Sequence, residues 1–184
     1  NILDFGYATL DRFFQLAPWI LLLFIPAITM RSFSDEFKSG TWEILQTRPL
    51  SRGQIILGKY TGSLLVALIA LLPTIIYFFS IQQLSSNEGI DTGAATGSYI
   101  GLFFLAAVFT AIGICAGSFT SNAVVAFIVS LIACAVLYYG FSAVSNLPAL
   151  KTGAGYYTEM FGIDFHYRSI SRGVIDTRDI IYFL

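Results

Sequence analysis

The sequence predicts an all-α protein: a polytopic bundle of transmembrane helices with four full spans and a fifth starting at its C-terminal end. Two observations carry that expectation. The composition is 56% hydrophobic, 16% aromatic and only 11% charged, against about 45–50% apolar and about 25% charged in soluble domains. The apolar residues are also gathered into long charge-free runs, each near the ~20 residues that cross ~30 Å of hydrocarbon, with polar islands between them. A formal net charge of −1 excludes the basic surface of a nucleic-acid binder, so no nucleic-acid partner is expected. Cys115 and Cys134 both lie in apolar runs and read as small packing residues, not as a disulfide framework or metal ligands.

In chain order, residues 1–12 hold Asp4, Asp11 and Arg12 among apolar neighbours and read as an interfacial lead-in. Residues 13–30 carry no charge, and the first span is expected at 13–33. Pro18 falls near its first turn, where proline is tolerated. Pro26 lies inside, where it removes a backbone donor and crowds the preceding turn, so a kink is expected there.

Residues 34–58 form a polar island carrying Lys38, Arg48 and Arg52, with Lys59 at its edge. Phe37, Thr41, Ile44 and Leu45 recur at i, i+4, i+7 and i+8, which predicts a short amphipathic helix over about 35–46. Pro49 ends it. Ser51 and Gln54 have the spacing of a capping box, predicting a second helix that runs straight into the next span. The implied shape is an elbow at a membrane surface.

The second span is expected at 59–81, with Gly58 at its mouth and Pro73 inside it as a second kink. Residues 82–97 are polar and glycine-rich, with Glu88 and Asp91 but no cation, and read as a flexible loop. Residues 92–150 hold no charge at all. That is too long for one span and suits two joined by a tight turn at 117–122, giving spans at 98–117 and 123–145. Small residues on both would let these helices approach closely. Tyr99, Tyr138 and Tyr139 fit an interfacial aromatic belt. Residues 146–179 mix glycines with aromatics and are expected to form an interfacial, extracytoplasmic segment containing a short helix pair. Asp176 then suits the N-cap, and Asp179 the first turn, of a last apolar helix.

The pattern Glu36-x-x-x-Gly40-Thr41-x-Glu43-x-Leu45-x-x-x-Pro49, followed by Gly58-Lys59 at the start of an apolar run, resembles the first cytoplasmic loop of ABC-2-type transporter permeases. Among these it is most similar to permease subunits of gliding-motility-associated ABC transporters. The likeness follows the spans in order over essentially the whole chain, and residues 171–184 resemble the approach to the family's final span. The resemblance implies the middle of a six-span protein of the bacterial inner membrane. It also implies a separate ABC ATP-binding subunit that binds ATP and magnesium, and a second permease, identical or related. In that setting the elbow is a coupling helix: Glu36, Lys38, Thr41, Trp42 and Glu43 contact the partner, Gly40 allows close backbone approach, and Pro49 and Gly58 shape the bend. Pro26, Pro73 and Gly58 supply hinge points. Taken from the residues alone, the elbow reads equally well as a solvated loop whose cations meet lipid phosphates.

Lysines and arginines near the span ends are equally divided between the two sides. Their crowding around one short loop favours a cytoplasmic elbow. The sequence holds no phosphate-binding Gly-x-x-x-x-Gly-Lys-Ser/Thr loop, so the chain is not expected to be an enzyme or to hold a cofactor or metal of its own. The charge-free runs that form the spans, 13–30, 60–81, 98–117 and 123–145, carry no Asp, Glu, Lys, Arg or His, the usual mark of a proton or ion path, and no buried acid is expected. His166, the only histidine, reads as structural, and Ser118 has no base near it. The alternative to a transporting permease is a non-transporting membrane anchor or assembly subunit of a motility or secretion complex; a secondary carrier is a third reading. Uncharged spans lean towards an amphiphilic or polymeric cargo.

Overall fold

The computed structural model describes residues 10–47, 49–84, 91–147, 154–173 and 176–183. Among these residues every regular element is helical. Most of the lead-in, Arg48, the centre of the 82–97 loop and residues 148–153 lie outside the described residues. Four stretches are long and apolar enough to cross a membrane: Asp11–Ser39, Arg52–Gln83, Thr92–Ser118 and Ala123–Ser145. The first comprises helices α1 (Asp11–Thr29) and α2 (Arg31–Ser39). Next come α3 (Thr41–Gln46), α4 (Arg52–Leu84) and α5 (Thr92–Gly117). The fourth stretch is α6 (Ala123–Ala135), a π-helical turn (Val136–Gly140) and α7 (Phe141–Ser145). Short helices α8 (Ala154–Glu159), α9 (Ile163–Ser171) and α10 (Thr177–Phe183) follow.

Helix α5 is the hub, packing on α1, α4, α6 and α9. Its Leu102, Leu105, Ala106 and Phe109 are wholly buried, beside Ile25 of α1, Cys134 of α6 and Ile170 of α9. In lipid, such a core is held by close van der Waals fit, because apolar surface gains nothing by leaving hydrocarbon. Two wholly buried threonine hydroxyls are returned to their own helices: Thr29 donates to the Ile25 carbonyl at 3.0 Å and Thr110 to that of Ala106 at 2.7 Å, as a medium without water demands. Helix α4 is the exception, with Ile55 and Ala67 its buried residues and the rest of its length largely exposed.

Several expectations are corrected. The third membrane helix begins at Thr92, not 98, so the loop assigned to 82–97 is helical at both ends. Asp91 explains the early start, since its carboxylate accepts from the Ala94 amide at 3.0 Å and caps the helix. The small residues that read as loop are what lets α5 dock: a Cβ on Gly97 would sit 2.5 Å from the Ile170 carbonyl oxygen of α9. Asp91→Ala is expected to lower stability by about 1 kcal/mol, as for other lost N-caps, measurable as a lower thermal midpoint in detergent.

The π turn was not legible. Its extra residue re-aims the chain locally, carrying Tyr138 inward to an edge contact with Phe109 at 6.1 Å and Tyr139 onto Trp19 at 4.6 Å. Tyr138 is 3% exposed, so it is a core residue and not part of an aromatic belt. Tyr99 likewise turns inward, donating to the Thr74 carbonyl at 2.8 Å. Cys134 is buried, while Cys115 is exposed.

The 146–179 segment contains the expected short helices, but α9 is built into the bundle instead of lying on it. Tyr167 is buried and donates to the Phe14 carbonyl at 2.8 Å; burial also pushes its phenol well above the ordinary range, keeping it a donor. Two acids, Asp164 and Asp179, are buried, against the expectation of none. Each has a cationic or imidazole partner: Arg168, one helical turn along, for the first, and His166, thirteen residues away, for the second.

Candidate partner-docking site at the first elbow

Helix α2 prolongs α1 with only Met30 between them, and Met30 itself is right-handed helical at φ −55°, ψ −31°. The first span therefore runs on into the polar island as far as Ser39. The single amphipathic helix expected over 35–46 does not form. Gly40 breaks it, at φ 70° and ψ 6°, a left-handed conformation that costs an L-residue with a Cβ roughly 1–2 kcal/mol. Nothing lies within 4 Å of where a Gly40 Cβ would stand. The residue is thus required for its backbone angle, not for close approach.

Beyond Gly40, α3 folds back so that Trp42 meets Phe33 and Phe37 of α2. The ring centroids are 5.6 Å apart for Phe33–Trp42, 5.4 Å for Phe37–Trp42 and 6.0 Å for Phe33–Phe37. Aromatic pairs at such spacings add about 0.5–1.5 kcal/mol beyond area burial. Ser39 and Thr41 hydroxyls bond across the break at 2.8 Å. After the bend at Pro49, the Ser51 amide donates to Gln54 Oε1 at 2.9 Å and the Gln54 amide to Ser51 Oγ at 3.3 Å. This is the reciprocal capping box, and α4 starts from it.

Lys59, one turn further on, closes the elbow. Its Nζ lies 2.5 Å from Glu36 Oε1, donates to the Ser32 carbonyl, and stands 4.7 Å above the Phe33 ring. One ammonium thereby joins the start of α4 to the side and backbone of α2. Glu36 Oε2 is buried and accepts nothing among the described residues, so Lys59 is the carboxylate's one recorded partner.

The residues singled out from the sequence consequently divide. Glu36 and Trp42 face inward and hold the elbow's shape. Lys38, Gly40, Thr41, Glu43 and Pro49 are exposed. Two apolar residues that were not singled out, Ile44 and Leu50, are exposed at 62% and 49% and flank Glu43 and Pro49. The tip thus presents an acid and two uncovered aliphatic side chains. Their signal was present, as apolar residues in an otherwise polar loop, but the 35–46 helix had assigned Ile44 to the buried stripe. Gly58 falls inside α4, with open space around it, rather than at a bend. Helices α1 and α4 both run on unbroken past Pro26 and Pro73.

Arg48 lies outside the described residues. Among the described residues no group of His, Cys, Asp and Glu is arranged to hold a metal ion. The elbow offers shape, an aliphatic tip and charge, which suit docking and not bond chemistry.

A family model described as ABC-2 family transporter protein matches residues 5–159. Neither the curated proteins nor the solved structures contain a match to the chain.

Proposed function

The chain belongs to the ABC-2 family of transporter proteins, a multi-pass membrane component rather than the ATPase, and on that premise we propose that its elbow couples a separate ATP-binding subunit to movement of the spans. The observation that carries this reading is the continuity of the elbow with two membrane helices. Helix α2 extends α1, α4 begins one residue after its Ser51 cap, and Lys59 ties the two together. A push on the tip residues Glu43, Ile44 and Leu50 is therefore delivered to both helices as a unit. A solvated loop would need neither the aromatic triad nor the Lys59 clamp.

In this reading the elbow faces the cytoplasm of a bacterial inner membrane, and the partner binds ATP and magnesium. Lys38, Thr41 and Glu43 make polar contacts to it, while Gly40 and Pro49 set the angle of the tip. Pro26 and Pro73 are bend points that act during movement. A second permease, identical or related, covers the exposed length of α4 and completes the pathway for an exported amphiphile or polymer. The likeness of the Glu36-to-Pro49 pattern to gliding-motility permeases supports that setting.

The test is co-purification with the candidate ATP-binding subunit. Glu43→Lys combined with Ile44→Asp is expected to lose the partner while keeping wild-type helical content by circular dichroism, because both side chains are exposed and support nothing inside the bundle. Full retention of the partner would show that the tip is not the docking element.

A further inference from the structure

On the other side of the bundle, α9 forms one wall of a cleft of about 480 Å³ between itself, the N-terminal part of α1 and the π turn, lined in part by Gln15, Trp19, Tyr139 and Arg168. Behind that wall His166 is 2% exposed and held at both ring nitrogens. Nε2 lies 2.8 Å from the Met160 carbonyl oxygen and Nδ1 lies 2.7 Å from Asp179 Oδ1 of α10. The imidazole stacks on Tyr182 at 4.0 Å.

These contacts restrict where protons can be. A carbonyl oxygen only accepts, so Nε2 must carry a hydrogen. If the imidazole were neutral, Nδ1 would then be an acceptor facing a carboxylate oxygen, itself an acceptor when ionised. Two lone pairs cannot be held at 2.7 Å in a dry site. We infer that His166 and Asp179 form a proton-binding site: together they hold one proton more than a neutral imidazole and a free carboxylate, as imidazolium with carboxylate or as imidazole with carboxylic acid, and that proton bonds α9 to α10.

The surroundings make the proton the pair's own. Around it, α9 contributes Asp164 and Arg168, which pair with each other, then Tyr167, committed to Phe14, and the exposed Arg172. Glu159 of α8 precedes Met160. From α10 come Arg178 and Tyr182, whose hydroxyl donates to the Phe161 carbonyl; Asp176 before it accepts from the Arg178 amide. The π turn adds Tyr138 and Tyr139. Helix α5 has no charged residue. Asp179 Oδ2 is buried without a partner among the described residues, so none of these supplies a second donor to the carboxylate.

One measurement on the full chain in lipid nanodiscs tests this, with a histidine-free affinity tag: the ¹⁵N spectrum of ¹⁵N-histidine-labelled protein, with His166→Gln identifying the signal. Protonated Nε2 together with a protonated or strongly hydrogen-bonded Nδ1 is expected, and Asp179→Asn, which places an N–H donor towards Nδ1, should turn Nδ1 into an acceptor with the bond kept. A neutral Nδ1–H tautomer with bare Nε2 in the wild type, or an Nδ1 signal unchanged by Asp179→Asn, overturns the inference. The association test of the elbow is independent of this outcome.

Discussion

Lys59→Met is expected to uncouple the elbow from the second span, lowering the stimulation of the partner's ATPase on forming the complex by on the order of tenfold while leaving the subunits associated. The reasoning rests on what the ammonium joins. Its contacts to Glu36, the Ser32 carbonyl and the Phe33 face are the observed polar bridge between α2 and the base of α4. A hydrogen bond involving a charged group contributes roughly 1.5–3 kcal/mol. Here the two side chains are 14% and 29% exposed, so solvent screening reduces that to about 1–2 kcal/mol. Methionine keeps most of the aliphatic stem, so the loss is of charge and not of packing. Glu36→Gln is the informative companion, because an amide oxygen still accepts from Lys59 and should retain much of the coupling. The ratio of ATPase rate in the complex to that of the free subunit checks both. Normal stimulation with Lys59→Met would mean that force passes through the Phe33–Phe37–Trp42 cluster alone.

What sequence revealed and concealed follows from the range of the interactions. Membrane helices are dictated by composition within a window, so the spans were legible, as were the Ser51–Gln54 cap and the turn at 117–122, which depend on neighbours in the chain. The capping of α5 by Asp91 was local too, yet glycines and threonines at 92–97 masked it: their small size, which signals loop in water, serves helix packing in lipid. The break at Gly40 was hidden by an apolar periodicity that continued through it. Lys59–Glu36 and His166–Asp179 join residues distant in sequence, and no periodicity marks them. The site was thus legible as a place, 34–58, whereas the division between shape-holding Glu36 and Trp42 and the exposed tip required coordinates.

Gly113→Ala is expected to be strongly destabilising. A Cβ at this position would lie 2.2 Å from Thr29 Oγ1, 2.9 Å from its Cβ and 3.1 Å from its Cγ2. Rotating the threonine side chain moves Oγ1 and Cγ2 but not Cβ, so the clash survives every rotamer and α1 must move away from α5. Overpacking of a tight core costs about 1–3 kcal/mol, and the upper end applies because Thr29 is wholly buried. The thermal midpoint of the purified protein reads the loss. Thr29→Gly removes all three clashing atoms at the cost of about 1 kcal/mol in helix propensity, and the double variant should recover most of what Gly113→Ala loses. Absence of recovery would place the strain elsewhere. The same contact bears on function, since Gly117, one turn along, approaches the Thr29 carbonyl and Phe33. Helix α5 thereby seats α1 where it passes into α2. A wedge at Gly113 should therefore lower coupling in whatever protein still folds, with the elbow's own residues intact.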